Sequence, residues 1–109
     1  MMKKCMLEYL SKIDKARSIN KSYHINDRQV SILDYICEKY LSDKACHIQE
    51  IISLKIVGSQ AKLHDVTKEL TKLNLIKVKI DPADNRRKNV LPTPLALKRL
   101  KALVAIFEK

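Results

Sequence analysis

A chain of 109 residues holds one domain with one core, and not two. Its 22 Lys and Arg outnumber 12 Asp and Glu, and the resulting +10 at pH 7 suits a polyanionic partner, either nucleic acid or an anionic membrane surface. A single Gly excludes the Gly-rich phosphate loops of both the P-loop and the dinucleotide type.

Met2, Met6, Leu10, Ile13 and Ala16 recur every three or four residues and predict a helix over residues 2–17. Residues 18–25 lack periodicity and read as a connector. Asn26 then offers a side-chain oxygen to the free amides of a first turn, with Gln29 at the reciprocal capping position. The stripe behind it is Val30, Leu33, Cys37, Tyr40 and Leu41, flanked by Ile32 and Ile36. Ser42-Asp43-Lys44 ends this helix, and Ala45–Ile48 reads as an extended link. Ile48, Ile51 and Ile52 predict a two-turn helix that stops near Lys55. Gly58 follows, the residue that best tolerates a left-handed turn between closely packed helices. Ser59 is placed to cap the next helix, whose core stripe is Leu63, Val66, Leu70 and Leu73, with Asn74 closing it.

The period then changes from 3.6 to 2. Leu75–Ile80 alternates, with Ile76, Val78 and Ile80 on one face and Lys77 and Lys79 on the other. Asp81–Asn85 is turn chemistry, Arg86–Leu91 returns as a second strand, and Pro92 ends it. Thr93 caps a last helix with Pro94 at its first position, and Leu97, Leu100, Leu103, Val104 and Phe107 give that helix an apolar face. A short helix, a turn and a second helix form a helix-turn-helix, and a basic-tipped hairpin behind it makes a winged helix. The expected class is thus mainly α with a small β-hairpin wing: residues 1–17 an N-terminal helix, 26–92 the winged-helix core, 93–109 a C-terminal helix.

The charge is uneven. Residues 1–54 carry 9 basic and 7 acidic side chains, whereas residues 55–101 carry 12 basic and 4 acidic ones. With Leu63, Val66, Leu70 and Leu73 turned to the core, the face of the second helix left for a DNA major groove carries Ala61, His64, Asp65, Lys68 and Lys72. Lys68 and Lys72 suit phosphates or guanine edges, His64 donates to a base or phosphate, and Gln60 pairs bidentately with adenine. Ala61 allows close approach. Asp65 reads as a partner of Lys62 or Lys68 that shapes the surface. Ser59, Lys62, Lys79, Arg86, Arg87 and Lys88 complete the candidate DNA-contacting set.

Gly58-Ser59-Gln60-Ala61-Lys62-Leu63-His64-Asp65-Val66, running on to Asn74-Leu75-Ile76, resembles the turn and reading helix of MarR-type winged-helix regulators. Asp84-Asn85-Arg86-Arg87 followed by Val90-Leu91-Pro92-Thr93 is similar to that family's wing and its lead into the last helix. The resemblance implies a homodimer built from the terminal helices, a near-palindromic operator, and Arg86 or Arg87 reaching a minor groove. The apolar stripes left for dimerisation are Met6, Leu10 and Ile13 on the first helix, and Leu97, Leu100, Leu103, Val104 and Phe107 on the last. The alternative is that both helices fold back on their own domain. Residues 18–25 carry no effector-pocket signature, which leaves a small-molecule effector open.

Catalysis, metal and cofactor are not expected. His24, His47 and His64 have no H-x-x-x-H spacing, and Cys5, Cys37 and Cys46 no C-x-x-C pairing, so the thiols read as reduced. No Asp or Glu stands two residues before a Lys, which removes a common metal-nuclease signature, and no Ser or Cys has a nucleophile-elbow context. No apolar run approaches the ~20 residues of a membrane span, and Met1–Glu8 lacks the apolar stretch of a signal peptide, so a cytoplasmic location is expected. The leading expectation is a sequence-specific regulator of transcription, of bacterial or phage type, bound to double-stranded DNA. The rivals are a winged-helix protein-interaction or assembly module, and a replication or plasmid-maintenance initiator.

Overall fold

Asn26 accepts the Gln29 N–H at 2.9 Å while Gln29 Oε1 accepts the Asn26 N–H at 2.8 Å, and this reciprocal cap starts the helix on which the rest is assembled. The computed structural model describes residues 2–53 and 60–108. The elements are α1 (Met2–Ser22), α2 (Asp27–Leu41), α3 (Ile48–Ile52), α4 (Gln60–Lys72), β1 (Ile76–Asp81), β2 (Asp84–Pro92) and α5 (Pro94–Phe107). The expected Gly58 turn and Ser59 cap lie outside the described residues.

The core is one cluster drawn from every element except α1. Ile32, Leu33, Ile36 and Cys37 of α2 meet Ile51 of α3, Leu63, Val66 and Leu70 of α4, Leu75 and Ile76, Val90 of β2 and Ala96 of α5. Gln29 adds a polar tie, since its Nε2 donates to Glu69 Oε1 of α4 at 2.9 Å. The antiparallel hairpin pairs Ile76 with Pro92 and Val78 with Val90, with a register shift between Ile80 and Asp81. Its base is pinned to the helices by backbone bonds, Val90 N–H to the Cys46 carbonyl at 2.7 Å and Thr93 N–H to the Leu75 carbonyl at 3.1 Å. The Thr93 hydroxyl donates to the Asn74 carbonyl at 2.7 Å and accepts the Ala96 N–H at 3.2 Å, so one side chain ends the wing and caps α5.

Four expectations need correction. The first helix runs through Ser22, and only Tyr23–Asn26 connects it to α2. It closes with the Ile25 N–H bonded to the Asn20 carbonyl and His24 at φ 64°. The same i to i−5 closure ends α2 at Asp43 (φ 57°) and α4 at Asn74 (φ 61°). With one Gly in the chain, His, Asp and Asn take these left-handed positions. Second, the buried stripe of α2 is Gln29, Ile32, Leu33, Ile36 and Cys37; Tyr40 and Leu41 are exposed. Third, the apolar face of β1 is not a core face along its length. Ile76 is buried, but Val78 and Ile80 become exposed as the hairpin projects past the helices. Fourth, the second strand begins at Asp84 and includes Pro92.

The radius of gyration is 15.6 Å and the long dimension 55 Å, against about 13 Å expected for a compact chain of this length. A 21-residue helix is about 31 Å long, and α1 has no buried residue, so it extends the molecule. No helix among the described residues is long and apolar enough to cross a membrane.

Candidate nucleic-acid interface

Leu63, Val66 and Leu70 anchor α4 and thereby decide what it shows to the outside. Lys62, His64, Asp65, Lys68 and Lys72 are exposed. Thr67 is buried and satisfies its hydroxyl on the Leu63 carbonyl at 2.8 Å, which keeps the inward face dry. The wing stands beside this face. His64, Lys68, Thr71 and Lys72 line a cleft of about 470 Å³ whose other wall is Val78 and Lys88 of the hairpin, with Ile48 at its floor. A second cleft of about 450 Å³ adjoins it, sharing Ile48, His64 and Lys88 and adding His47, Gln49, Glu50, Arg86 and Arg87. The structure thus brings together His64, Lys68, Lys72, Arg86, Arg87 and Lys88 from the candidate set. Lys79 is exposed on β1 and Lys62 on α4, outside both clefts. Ser59 lies outside the described residues. Gln60 opens α4, with Ala61 next in its first turn.

The wing tip is set by Asp84. Its Oδ1 accepts the Arg86 N–H at 3.0 Å and lies 3.5 Å from Arg86 Nε, while Oδ2 lies 3.6 Å from Arg87 Nε. Arg86 remains 93% exposed, so these surface pairs orient a guanidinium that is free to find a better anion.

Three supporting groups had no functional role in the sequence reading. Glu50 joins α3 to α2: its carboxylate lies 2.8 Å from Lys39 Nζ, accepts the Tyr35 hydroxyl, and takes the His47 N–H at 3.3 Å. Burial raises the Glu50 pKa, but the bonds from Lys39, Tyr35 and His47 outweigh it and hold the carboxyl below its ordinary value. Burial, then the bond to Glu50, pushes Tyr35 up to about 12. Arg99 is the second group. It reads as part of the basic surplus, yet it is fully buried in α5, with Nε donating to Asn20 Oδ1 at 2.7 Å and Nη1 to Asp34 Oδ1 at 3.1 Å. It ties α5 to α1 and α2 and contributes nothing to the DNA-facing charge. A hint of this was available, because Arg99 falls three residues after Ala96 and one before Leu100, within the apolar stripe. His47, at the foot of the wing, is the third.

Burial also pushes up the Cys46 thiol, to about 11, and the Cys37 thiol, which keeps both protonated and unreactive. Among the described residues no group of His, Cys, Asp and Glu could hold a metal ion.

Short α3 behind α4, a two-stranded hairpin beside them and a capping helix on each side define a winged helix-turn-helix. No family model and no curated protein matches the chain. Among solved structures it is similar to S. aureus MepR in complex with DNA, at 21% identity and TM-score 0.71, over 97% of this chain and 81% of that one. It is similar to MepR bound to ethidium bromide at 20% identity and TM-score 0.76, over 98% and 74%. MepR in a DNA-binding conformation gives 20% and 0.68, over 94% and 72%. MepR is a MarR-family winged-helix transcription regulator, the family whose motifs residues 58–76 and 84–93 resemble. At this identity the likeness establishes a shared fold.

Proposed function

We propose that this chain is a sequence-specific double-stranded DNA-binding transcriptional regulator that engages a near-palindromic operator as a homodimer in the cytoplasm. The observation that carries the reading is the shared cleft system, in which the exposed cations of α4 and those of β2 face one space. A fold shared with a protein crystallised on DNA supports it. The cations supply affinity by releasing counterions from phosphates. The outer face of α4, with Gln60, Ala61, Lys62, His64, Lys68 and Lys72, reads base edges in a major groove, Ser59 at its start meets the backbone, and Arg86 or Arg87 reaches a minor groove. Lys79 and Lys88 hold the flanking phosphates.

The dimer reading rests on apolar surface. Met2, Met6 and Leu10 of α1, with Val104 and Phe107 of α5, are 47–69% exposed. Ile13, Leu97, Leu100 and Leu103 are partly covered within the chain, and Lys12 Nζ sits 6.0 Å above the Phe107 ring. The two terminal helices therefore pack on each other in part and leave a stripe that a second copy buries. In this division of labour residues 26–92 bind DNA and the segments 1–17 and 93–109 dimerise. Catalysis is assigned to no residue.

Selection of bound fragments from a random duplex pool tests the reading. The wild type enriches a near-palindromic sequence. Gln60→Ala or His64→Ala loses about 1–3 kcal/mol of discrimination per base contact. Arg86→Ala with Arg87→Ala weakens binding to all duplexes, with extra loss at A·T-rich flanks. An unchanged preferred sequence in both α4 variants contradicts the reading face. No enrichment of any duplex, together with tight capture of an acidic protein, favours a protein-docking module.

A further inference from the structure

His47 stands where the helices meet the wing. It is the N-cap of α3, and its backbone pairs with Asn89 of β2 in an isolated antiparallel bridge, one residue from the Val90–Cys46 bond. Its Nδ1 is buried, has no hydrogen-bond partner, and lies 3.7 Å from Asp81 Oδ2. That is beyond hydrogen-bond reach but within reach of an ion pair. Asp81 is held ready: its Oδ1 accepts the Ala83 N–H at 2.8 Å, which fixes the carboxylate at the start of the wing turn with Oδ2 toward the imidazole. The side chains are 24% and 15% exposed, so water screens the pair only in part. Asn89 Oδ1, at the same junction, is also buried without a partner.

We propose that His47 is a positioning residue for the DNA face: protonated, it latches the wing to α3 through Asp81, and it releases the wing as pH rises through the imidazole range. Imidazole is the side chain whose ordinary titration falls between about pH 5 and 8. The charged neighbours decide which carboxylate answers to it. Glu50 of α3 is already engaged by Lys39 and Tyr35, which leaves Asp81 of β1 as the uncommitted anion. His64 of α4 and Arg86, Arg87 and Lys88 of β2 share the cleft and oppose protonation. Bound phosphates offset that opposition, so the latch closes most firmly on DNA. The effect on affinity rests on the proposed DNA-binding function; the latch itself does not.

His64 titrates on the same face, so the test is made in a His64→Gln background. Affinity for a mixed-sequence duplex is read at constant ionic strength across about pH 5.5–8. The expected result is a loss of about two- to fivefold with rising pH, the scale of a partly exposed ion pair. Asp81→Asn keeps the Ala83 acceptor but removes the charge, and it abolishes the slope, as does His47→Gln. Adding the second change to the first has no further effect. Amide exchange of Val90 reads wing docking without DNA: corrected for intrinsic rate, its protection is greater at low pH in the parent and independent of pH in Asp81→Asn. An Asp81→Asn variant that keeps the parent's pH dependence in both readouts overturns the latch. Duplex binding absent at every pH, with Val90 protection still dependent on Asp81, supports the latch and overturns the DNA function alone.

Discussion

The N-terminal half of α1 and the helix α2 carry apolar residues at the same helical spacing, and they use them in opposite ways. On α2, Ile32, Leu33 and Ile36 are completely buried, and both ends of the helix are closed by hydrogen bonds. On α1, Met2, Met6, Leu7, Tyr9 and Leu10 are 58–69% exposed, and no residue of the helix is buried. Spacing alone states that a stripe needs cover; it does not say whether the cover comes from the same chain. The core of α2 is covered by α3, α4 and the wing, while α1 is covered over its C-terminal part by α5 and elsewhere by nothing in the same chain. Fold stability should therefore be concentrated in residues 25–96, and assembly in the helices at the two ends.

The sharpest way to break this comparison is to delete side chains on both sides of it. Ile36→Ala should cost about 2–5 kcal/mol in denaturant unfolding, the price of a buried cavity. Leu10→Asp should change the unfolding free energy of the dilute protein by no more than about 0.5 kcal/mol. It should instead convert dimer to monomer in sedimentation at micromolar concentration. A Leu10→Asp chain that unfolds as readily as Ile36→Ala would place α1 inside the core.

Arg99 tests the seam between the two regions. Arg99→Ala removes a fully buried guanidinium and leaves Asn20 and Asp34 without its bonds. The Asp34 side chain is 51% exposed and resolvates, so the expected loss is about 2–3 kcal/mol, below that of a fully buried pair. Chemical denaturation measures it, and a neutral substitution would mean that α5 is held by its apolar contacts alone.

Smaller effects come from the helix ends. His24 ends α1 at φ 64°, where a β-carbon is a liability. His24→Gly should raise stability by about 0.5–1 kcal/mol in the same unfolding assay; a decrease would show that the side chain offsets the backbone cost.

Smallest is the contribution of Glu50. Its carboxyl is held below the ordinary value in the folded chain, so its bonds add stability above the carboxylate range, and that stability is lost as pH falls through the folded value. Solvent exposure keeps the effect slight. Glu50→Gln should lower Tm at neutral pH and converge on the wild type in acid; a constant gap would deny the charge any part.

Much of the fold is legible in the residues because local signals agree with the global arrangement. Asn26 with Gln29, Thr93 with Pro94, and the Leu63, Val66, Leu70 spacing each name an element end or face that the structure contains. What was not legible depends on contacts distant in sequence. The run past residue 17 was missed because the helix closes on His24, where Gly is the usual signal. Val78 and Ile80 alternate like a core strand, but nothing local says that the hairpin outruns the helices. Arg99 counts as a surface cation until Asn20 and Asp34, 79 and 65 residues away, are brought beside it. In the candidate interface, exposure of His64, Lys68 and Lys72 follows from the α4 wheel, whereas their sharing a cleft with Lys88 depends on where the wing docks.

The central claim is that the cations of α4 and of the wing form one electrostatic surface for duplex DNA. The salt dependence of binding tests it most directly. The account predicts a log–log slope on the order of −5 to −10 for the dimer, reduced in magnitude by about one for each phosphate-contacting cation removed from a protomer, with Lys68→Ala on the helix and Lys88→Ala on the wing each counting once. A slope near zero on duplex DNA, or one that neither substitution changes, would contradict it.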